Sequence, residues 1–99
     1  MDNFLSTNLD NASAIPYFLW DEPMTVAELK RRLAEASAEE QARMLGKILR
    51  EARDTDVWKF TTPQAVWRDW AKLSPHLGRR REFWEFLFES WDKEGLLDG

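Results

Sequence analysis

Very few side chains of this 99-residue sequence have the type and spacing that a chemical reaction would need. His76 is the only histidine and there is no cysteine, so a Ser-His-Asp or Cys-His catalytic set would depend on His76. This histidine lies between Pro75 and Leu77 in a predicted turn, and no serine occupies the sharp strand-to-helix turn that exposes a nucleophile. We therefore predict that the protein is not an enzyme and has no catalytic residue.

Carboxylates are the second group of side chains that could do chemistry. Asp54 and Asp56 have the spacing of a metal-binding pair, but they follow a predicted helix rather than the strand on which two-metal enzymes carry such a pair. A row of glutamates, Glu82, Glu85 and Glu89, lies on one predicted helix, whereas metal ligands converge from more than one element. The sequence has no glycine-rich phosphate loop. We predict no metal site and no cofactor.

Three consecutive arginines, Arg79 to Arg81, begin a predicted helix, where positive charge opposes the helix macrodipole at a cost of about 0.3 to 1 kcal/mol. One interpretation is that they pair with Glu82, Glu85 and the acidic ends of the chain. The other is that they form a corner that binds an anion or a protein partner together with Phe83 and Trp84. The sequence leaves both interpretations open.

The charges are unevenly distributed along the chain, although the net charge is only −4. Residues 1–27 carry four acids and no base, residues 28–81 carry 13 bases against 8 acids, and residues 82–99 carry one lysine against six acids. Either the acidic ends fold back over the basic middle, or the basic middle faces a partner. The net acidity argues mildly against nonspecific binding of nucleic acid by the whole surface.

Composition indicates a single compact helical domain. Apolar residues make up 43% and charged residues 32% of the chain, which is typical of amphipathic helices around one core. The six tryptophans can each bury about 150 to 250 Å², in the core or against a partner. No apolar run approaches the roughly 18 residues of a membrane span, and the lack of cysteine is compatible with a reducing interior, so we expect a cytoplasmic protein without membrane contact.

Capping signals predict four main helices. The capping box that begins at Thr25 starts a first helix, which ends near Ala36. The capping box that begins at Ser37 starts a second helix over Ala38–Arg53. Gly46 lies inside the second helix, which costs about 1 kcal/mol relative to alanine and is tolerable where another helix approaches closely. Thr62 and Pro63 start a third helix that runs to about Leu73. The last helix spans Arg79 to about Glu94, and Gly95 ends it in a left-handed conformation.

The predicted fold is therefore an all-α bundle of four main helices without a sheet. Residues 1–14 are predicted to form a flexible or weakly helical N-terminal arm, and residues 15–99 a single helical domain on which the segment Tyr17–Trp20 packs. In the junction between the second and third helices, Trp58 and Phe60 have the in-phase spacing of core anchors, while Lys59 points to the surface. Phe86 falls off the apolar stripe of the last helix and is predicted to be exposed.

Several strings of the sequence resemble a family of small bacterial proteins that are encoded beside nucleotidyltransferase-type abortive-infection toxins. The resemblance covers about residues 16–97 and is carried by Pro16-Tyr-Phe-Leu-Trp20, Met24-Thr-Val-Ala-Glu-Leu29, Ile48-Leu-Arg-Glu-Ala-Arg53, Asp56-Val-Trp-Lys-Phe60 and Arg79-Arg-Arg-Glu-Phe-Trp84. Such upstream proteins are regarded as antitoxins. The resemblance implies an all-helical antitoxin or accessory protein that controls a toxin by direct contact or by regulating its operon.

We therefore predict a protein-binding antitoxin or accessory regulator whose aromatic anchors enter a partner pocket while arginines pair with its carboxylates or phosphates. The predicted contact residues are Arg50, Arg53, Trp58, Lys59, Phe60, Arg79, Arg80, Arg81 and Trp84.

Two alternative functions remain at this stage. One is a DNA-binding regulator of its own operon that uses the helices within residues 25–54 as a helix-turn-helix, although the missing polar recognition face speaks against it. The other is a self-associating structural module in which exposed aromatic residues close a homodimer.

Overall fold

The computed structural model describes residues 5–97, and its fold is all-α, as predicted. The helices are α1 (Val26–Glu35), α2 (Ala38–Glu51), α3 (Asp54–Val57), α4 (Pro63–Arg68), α5 (Trp70–Leu73) and α6 (Arg81–Lys93). Short 3-10 turns occupy Tyr17–Leu19, Ser74–His76 and Gly78–Arg80. Only Asp69 separates α4 from α5, and these two helices together fill the predicted third helix. None of the helices in the described part has both the length and the apolarity to cross a membrane.

Side-chain caps fix the starts of three helices where the sequence predicts them. The hydroxyl oxygens of Thr25, Ser37 and Thr62 each accept a hydrogen bond from the backbone amide three residues later, over 3.1 to 3.2 Å. Pro63 follows in the first turn of α4, where a missing amide proton costs nothing. After the C-terminal end of α6, Gly95 has a φ of 74°, which confirms the predicted left-handed stop.

The N-terminal segment differs from the predicted arm. Residues Leu5–Ser6 (β1) pair in parallel with Ile15–Pro16 (β2), so the prediction of no sheet is wrong in this detail. The intervening chain forms turns instead of a weak helix because Leu9, only 2% exposed, anchors it to the core. The carbonyls of Ala12 and Ala14 also accept hydrogen bonds from the first amides of α1. The prediction for residues 1–4 lies outside the described residues.

An aromatic cluster forms the centre of the core. The ring of Phe88 on α6 is fully buried, and its centroid lies 5.5 to 6.5 Å from the ring centroids of five of the six tryptophans. These tryptophans come from α6, from α4 and α5, and from the residue that follows α3; they are Trp58, Trp67, Trp70, Trp84 and Trp91. Phe88 therefore joins the whole C-terminal half of the chain into one packed unit.

The acidic N-terminal segment folds over the basic middle, as one of the two interpretations of the charge distribution predicts. The ammonium of Lys47, whose side chain is 8% exposed, pairs with Asp21 and lies 3.4 Å from a carboxylate oxygen of Glu22. The guanidinium of Arg43 bonds Glu22 at 2.9 Å and Glu40 at 2.7 Å. The hydrogen bond from Lys47 lowers the pKa of Asp21, and that from Arg43 lowers the pKa of Glu22.

Gly46 permits the closest contact between α2 and its surroundings. A Cβ atom added at Gly46 would lie 2.3 Å from the Cβ of His76, a distance at which one of the two must move. The predicted close approach at Gly46 is thus confirmed, although the neighbour is the Ser74–His76 turn and not a helix. The histidine serves here as a packing residue against α2.

We expect Gly46→Ala to destabilise the protein by up to about 2 kcal/mol, because the overpacking cost of about 1 to 3 kcal/mol exceeds the gain in helix propensity of about 1 kcal/mol. The measurement is the free energy of unfolding in urea. His76→Ala keeps the clashing Cβ and should give no relief, whereas in a His76→Gly background Gly46→Ala should become stabilising. A destabilisation of equal size in both backgrounds would contradict the contact.

The salt bridges of Glu22 should make the fold acid-sensitive. Because folding lowers its pKa below 4.5, Glu22 stabilises the protein fully above that pH, and the contribution is lost as the pH falls through the lower folded value. We expect Glu22→Gln to cost less than about 1 kcal/mol at pH 7, since the carboxylate is about one-third exposed, and progressively less as the pH is lowered below 4.5. Urea unfolding across this range checks it, with exposed Glu94→Gln as the matched control.

Candidate partner-binding surface

Five of the predicted contact residues lie at one corner of the molecule. We call it the arginine corner; its members are Arg50, Arg53, Arg79, Arg80 and Arg81. The guanidinium of Arg50 donates a hydrogen bond of 2.9 Å to the carbonyl of His76, and its aliphatic chain lies against Gly78. Gly78 has a φ of 55°, a conformation that favours glycine, and this turn brings the arginines at 79–81 beside the end of α2.

Arg80 ties the start of α6 to the start of α3. Its guanidinium bonds the carboxylate of Asp54 at 2.6 Å and lies 4.8 Å from the ring centroid of Phe83 and 5.5 Å from that of Trp84. The sequence also allows the three arginines to pair with Glu82, but Arg80 does not do so. The carboxylate that neutralises Arg80 comes from another helix. Arg80 is therefore a structural member of the corner, with about one-third of its side chain exposed.

Tyr17 holds the end of α2 next to the corner. Its hydroxyl oxygen accepts a hydrogen bond of 2.7 Å from the amide of Arg53 and donates one of 2.6 Å to Asp56. The guanidinium of Arg53 lies 5.5 Å from the Tyr17 ring centroid. Burial raises the pKa of the Tyr17 hydroxyl, and the nearby Asp56 carboxylate adds to the rise. The phenol therefore stays protonated at neutral pH and keeps donating to Asp56.

Arg79 and Arg81 differ from the other members because their side chains are not held by neighbouring groups. Both are exposed, and neither forms a side-chain hydrogen bond, an ion pair or a cation–π contact with any residue between 5 and 97, whereas Arg50, Arg53 and Arg80 each do. Phe83, whose ring contacts the guanidinium of Arg80, has 40% of its surface exposed. Two solvated cations next to a partly exposed aromatic ring match the composition of protein interfaces, which are enriched in arginine and aromatic residues.

The structure corrects the predicted role of Trp84. This side chain is completely buried and presents no surface to a partner. Its indole N–H donates a hydrogen bond of 2.8 Å to the carbonyl of Leu49, which lacks the usual helical partner because the amide of Arg53 donates to Tyr17 instead. Trp58 packs against Trp84 at 5.8 Å and is half-buried, in agreement with its predicted role as a core anchor.

The other two predicted contact residues lie among different elements. Lys59 is exposed, as predicted, and pairs with Asp10 at 3.1 Å. Phe60 is half-buried against Phe18, with the ammonium of Lys30 5.9 Å from its ring centroid. Both border a shallow groove of about 400 Å³ beside α1. Their neighbours are α1 and the N-terminal segment, so they are not assigned to the arginine corner.

Besides Phe83, two further aromatic residues are exposed. Phe86 is 68% exposed, which confirms its prediction. Trp20 is 63% exposed, although the sequence predicts that it packs on the core with Phe18 and Leu19. The sequence itself indicates that one of these side chains is exposed. Four large side chains that follow one another around a single 3-10 turn cannot all face the same core.

The described residues offer no obvious inorganic cofactor site, since no group of three or more His, Asp or Glu side chains between positions 5 and 97 is placed to hold a metal ion. A groove of about 420 Å³ between α2 and α5 is lined mainly by alanine, proline and His76. No protein family model matches the chain, and it has no match among curated proteins or solved structures. Its functional surface has to be identified from its own geometry.

Trp84→Phe should destabilise the protein by about 2 to 4 kcal/mol, because it removes buried volume and leaves the Leu49 carbonyl without a donor. The same substitution at exposed Trp20 should change stability by less than about 0.5 kcal/mol. Thermal and urea unfolding followed by circular dichroism measures both variants. Equal effects at the two positions would mean that the indole hydrogen bond and the burial of Trp84 do not support the corner.

Proposed function

We propose that this protein is a non-enzymatic protein-binding module that engages an acidic surface of its partner through the arginine corner. The observation that carries the proposal is the exposure of Arg79 and Arg81, without acidic partners in the described chain, beside Phe83. The other arginines of the corner are held in place by Asp54, His76 and the Tyr17 ring. A rigid base with two free cations is well suited to pair with carboxylates.

The single histidine supports a non-catalytic function. The Cβ of His76 packs against Gly46, and its carbonyl accepts from Arg50, so both contacts position neighbouring elements. Packing therefore accounts for the position of this residue in the fold.

A DNA-binding function of α1 and α2 is less well supported. Arg31 and Arg32 both bond Glu28, and Arg43 is engaged by Glu22 and Glu40. These cations already have carboxylate partners, and the first turn of α2 carries acids that would repel phosphates. A gel shift with the chain's own upstream DNA at two salt concentrations tests this alternative: tight binding with a steep salt dependence would favour it over the protein-binding function.

The resemblance in the sequence suggests which partner to test. Under this proposal the chain is an antitoxin or accessory regulator, and its partner is a nucleotidyltransferase-type toxin encoded by the neighbouring open reading frame. The strings that carry the resemblance include Arg50, Arg53 and the Arg79–Arg81 run, which are the members of the corner. The proposal therefore places the contact with the toxin on residues that also carry the resemblance.

The substitution Arg81→Glu should change partner binding and folding stability in opposite directions, so it distinguishes the two. A glutamate in the first turn of α6 complements the macrodipole, so the free energy of unfolding should rise by about 0.3 to 1 kcal/mol. Binding to the copurified partner should weaken by about tenfold at low salt, since an acidic partner surface would now be repelled. Co-expression, copurification and calorimetry measure complex formation and affinity, and thermal unfolding measures stability.

Arg68→Glu is the matched control, because Arg68 is exposed on α4, outside the corner, and undergoes the same change in charge. It should leave binding unchanged. Failure of the wild-type chain to copurify with the neighbouring gene product would overturn the assignment of the partner. Equal binding by wild type and Arg81→Glu would overturn the assignment of the surface.

A further inference from the structure

The groove between α2 and the segment that runs from α5 into the Ser74–His76 turn has the composition of a small-molecule site. Its apolar lining includes Ala42, which is buried, and Ala71 and Pro75, which are exposed. Its volume of about 420 Å³ lies within the roughly 300 to 1,000 Å³ of pockets that bind small ligands. Such pockets combine an apolar lining with a few polar groups that fix the orientation of the ligand.

Three polar side chains complete this lining, and they come from both sides of the groove. Glu39 lies on α2, whereas Lys72 lies on α5 and His76 ends the turn that follows. None of these three side chains forms a hydrogen bond or an ion pair with any residue between 5 and 97. The carboxylate and the ammonium therefore present opposite charges on opposite walls, and they do not neutralise each other.

The charges around two other grooves of the described chain are engaged. At a groove of about 210 Å³ near the end of α1, every charged residue of the lining belongs to a salt bridge. At the groove bordered by Lys59 and Phe60, Lys59 pairs with Asp10 and the ammonium of Lys30 lies near the Phe60 ring. The groove between α2 and α5 differs from both because its acid and its base remain available to a ligand.

We propose that this groove binds a small zwitterion with an apolar body, of the class of free amino acids and dipeptides. The ammonium group of the ligand pairs with Glu39, and its carboxylate pairs with Lys72, with the His76 ring as a second donor. The apolar part of the ligand lies against Ala42 and Ala71. A zwitterion satisfies both charges of the groove at once, whereas a simple anion or cation would meet a like charge on one wall.

Binding is expected to be weak and reversible. Ion pairs between exposed groups contribute little, and both charged residues of the groove are exposed. We expect a dissociation constant of about 0.1 to 1 mM. The inference does not rest on the protein partner proposed above, since the groove contains no member of the arginine corner. Failure of either proposal leaves the other intact.

The only histidine of the sequence lines this groove, so its ring protons report occupancy directly. The full chain is titrated at constant pH with leucine, phenylalanine and leucylleucine, and the proton NMR signals of the His76 ring are followed. At least one of these zwitterions should give a saturable shift, and comparison of the amino acids with the dipeptide identifies the source of the ligand.

Ligands that lack one charge test the zwitterion requirement. Leucinamide has no carboxylate and isocaproate has no ammonium group, so each should bind at least fivefold more weakly than leucine if leucine is the ligand. For a dipeptide ligand, its amide and its desamino analogue serve the same purpose. The absence of a saturable shift at millimolar concentrations of all three zwitterions, or equal binding by the analogues, would overturn the proposal.

Substitutions in the groove test its position. Ala71→Trp should fill the groove and raise the dissociation constant at least tenfold, with an unchanged circular dichroism spectrum because Ala71 is exposed. Glu39→Gln and Lys72→Gln should each weaken binding at least threefold. Glu94→Gln and Lys93→Gln, at exposed residues outside the groove, are the matched controls and should leave binding unchanged. Equal effects of the groove and control variants would show that the assignment of the site is wrong.

Discussion

The ring of Phe88 is the contact on which the rest of the structure depends. It packs against five tryptophans, two on α6 itself and three that arrive from three other parts of the chain, and none of those parts has enough apolar surface of its own to form a stable unit. Because Phe88 and Trp84 stack at 5.7 Å, the aromatic cluster also fixes the indole that bonds the carbonyl of Leu49. Packing in the core thus sets where α2 ends.

The position of the arginine corner follows from that constraint. With the end of α2 held by Trp84 and Tyr17, the chain turns at Gly78 and Arg80 reaches Asp54 on α3. The corner contains a local conflict, because three arginines stand where a helix N-terminus favours acids. Asp54 offsets one of these charges, and two remain solvated. Natural proteins retain such conflicts mainly at functional sites, which is why the proposed contact surface is centred on the two solvated arginines and not on the buried aromatic residues.

The sequence predicts the elements that depend on local chemistry. Capping residues such as Thr25 and Ser37, the glycine at position 46 and the off-stripe Phe86 are all read from short-range patterns, and each has the predicted role. The sequence predicts the five arginines of the corner as contact residues on the second and last helices, but it does not predict that they meet in space. What failed depends on tertiary contacts. The burial of Trp84, a predicted contact residue, requires a carbonyl whose usual partner has been diverted. Lys47 is likewise buried by acids 25 and 26 residues away. No local pattern contains that information.

The acidic ends of the chain have different roles, and this distinction links the core to function. At the N-terminal end, Asp21 and Glu22 are consumed by Lys47 and Arg43, so the basic middle loses much of its charge internally. At the C-terminal end, Glu89 lies on the exposed face of α6 and has no such partner in the described chain, so its charge remains available to another molecule.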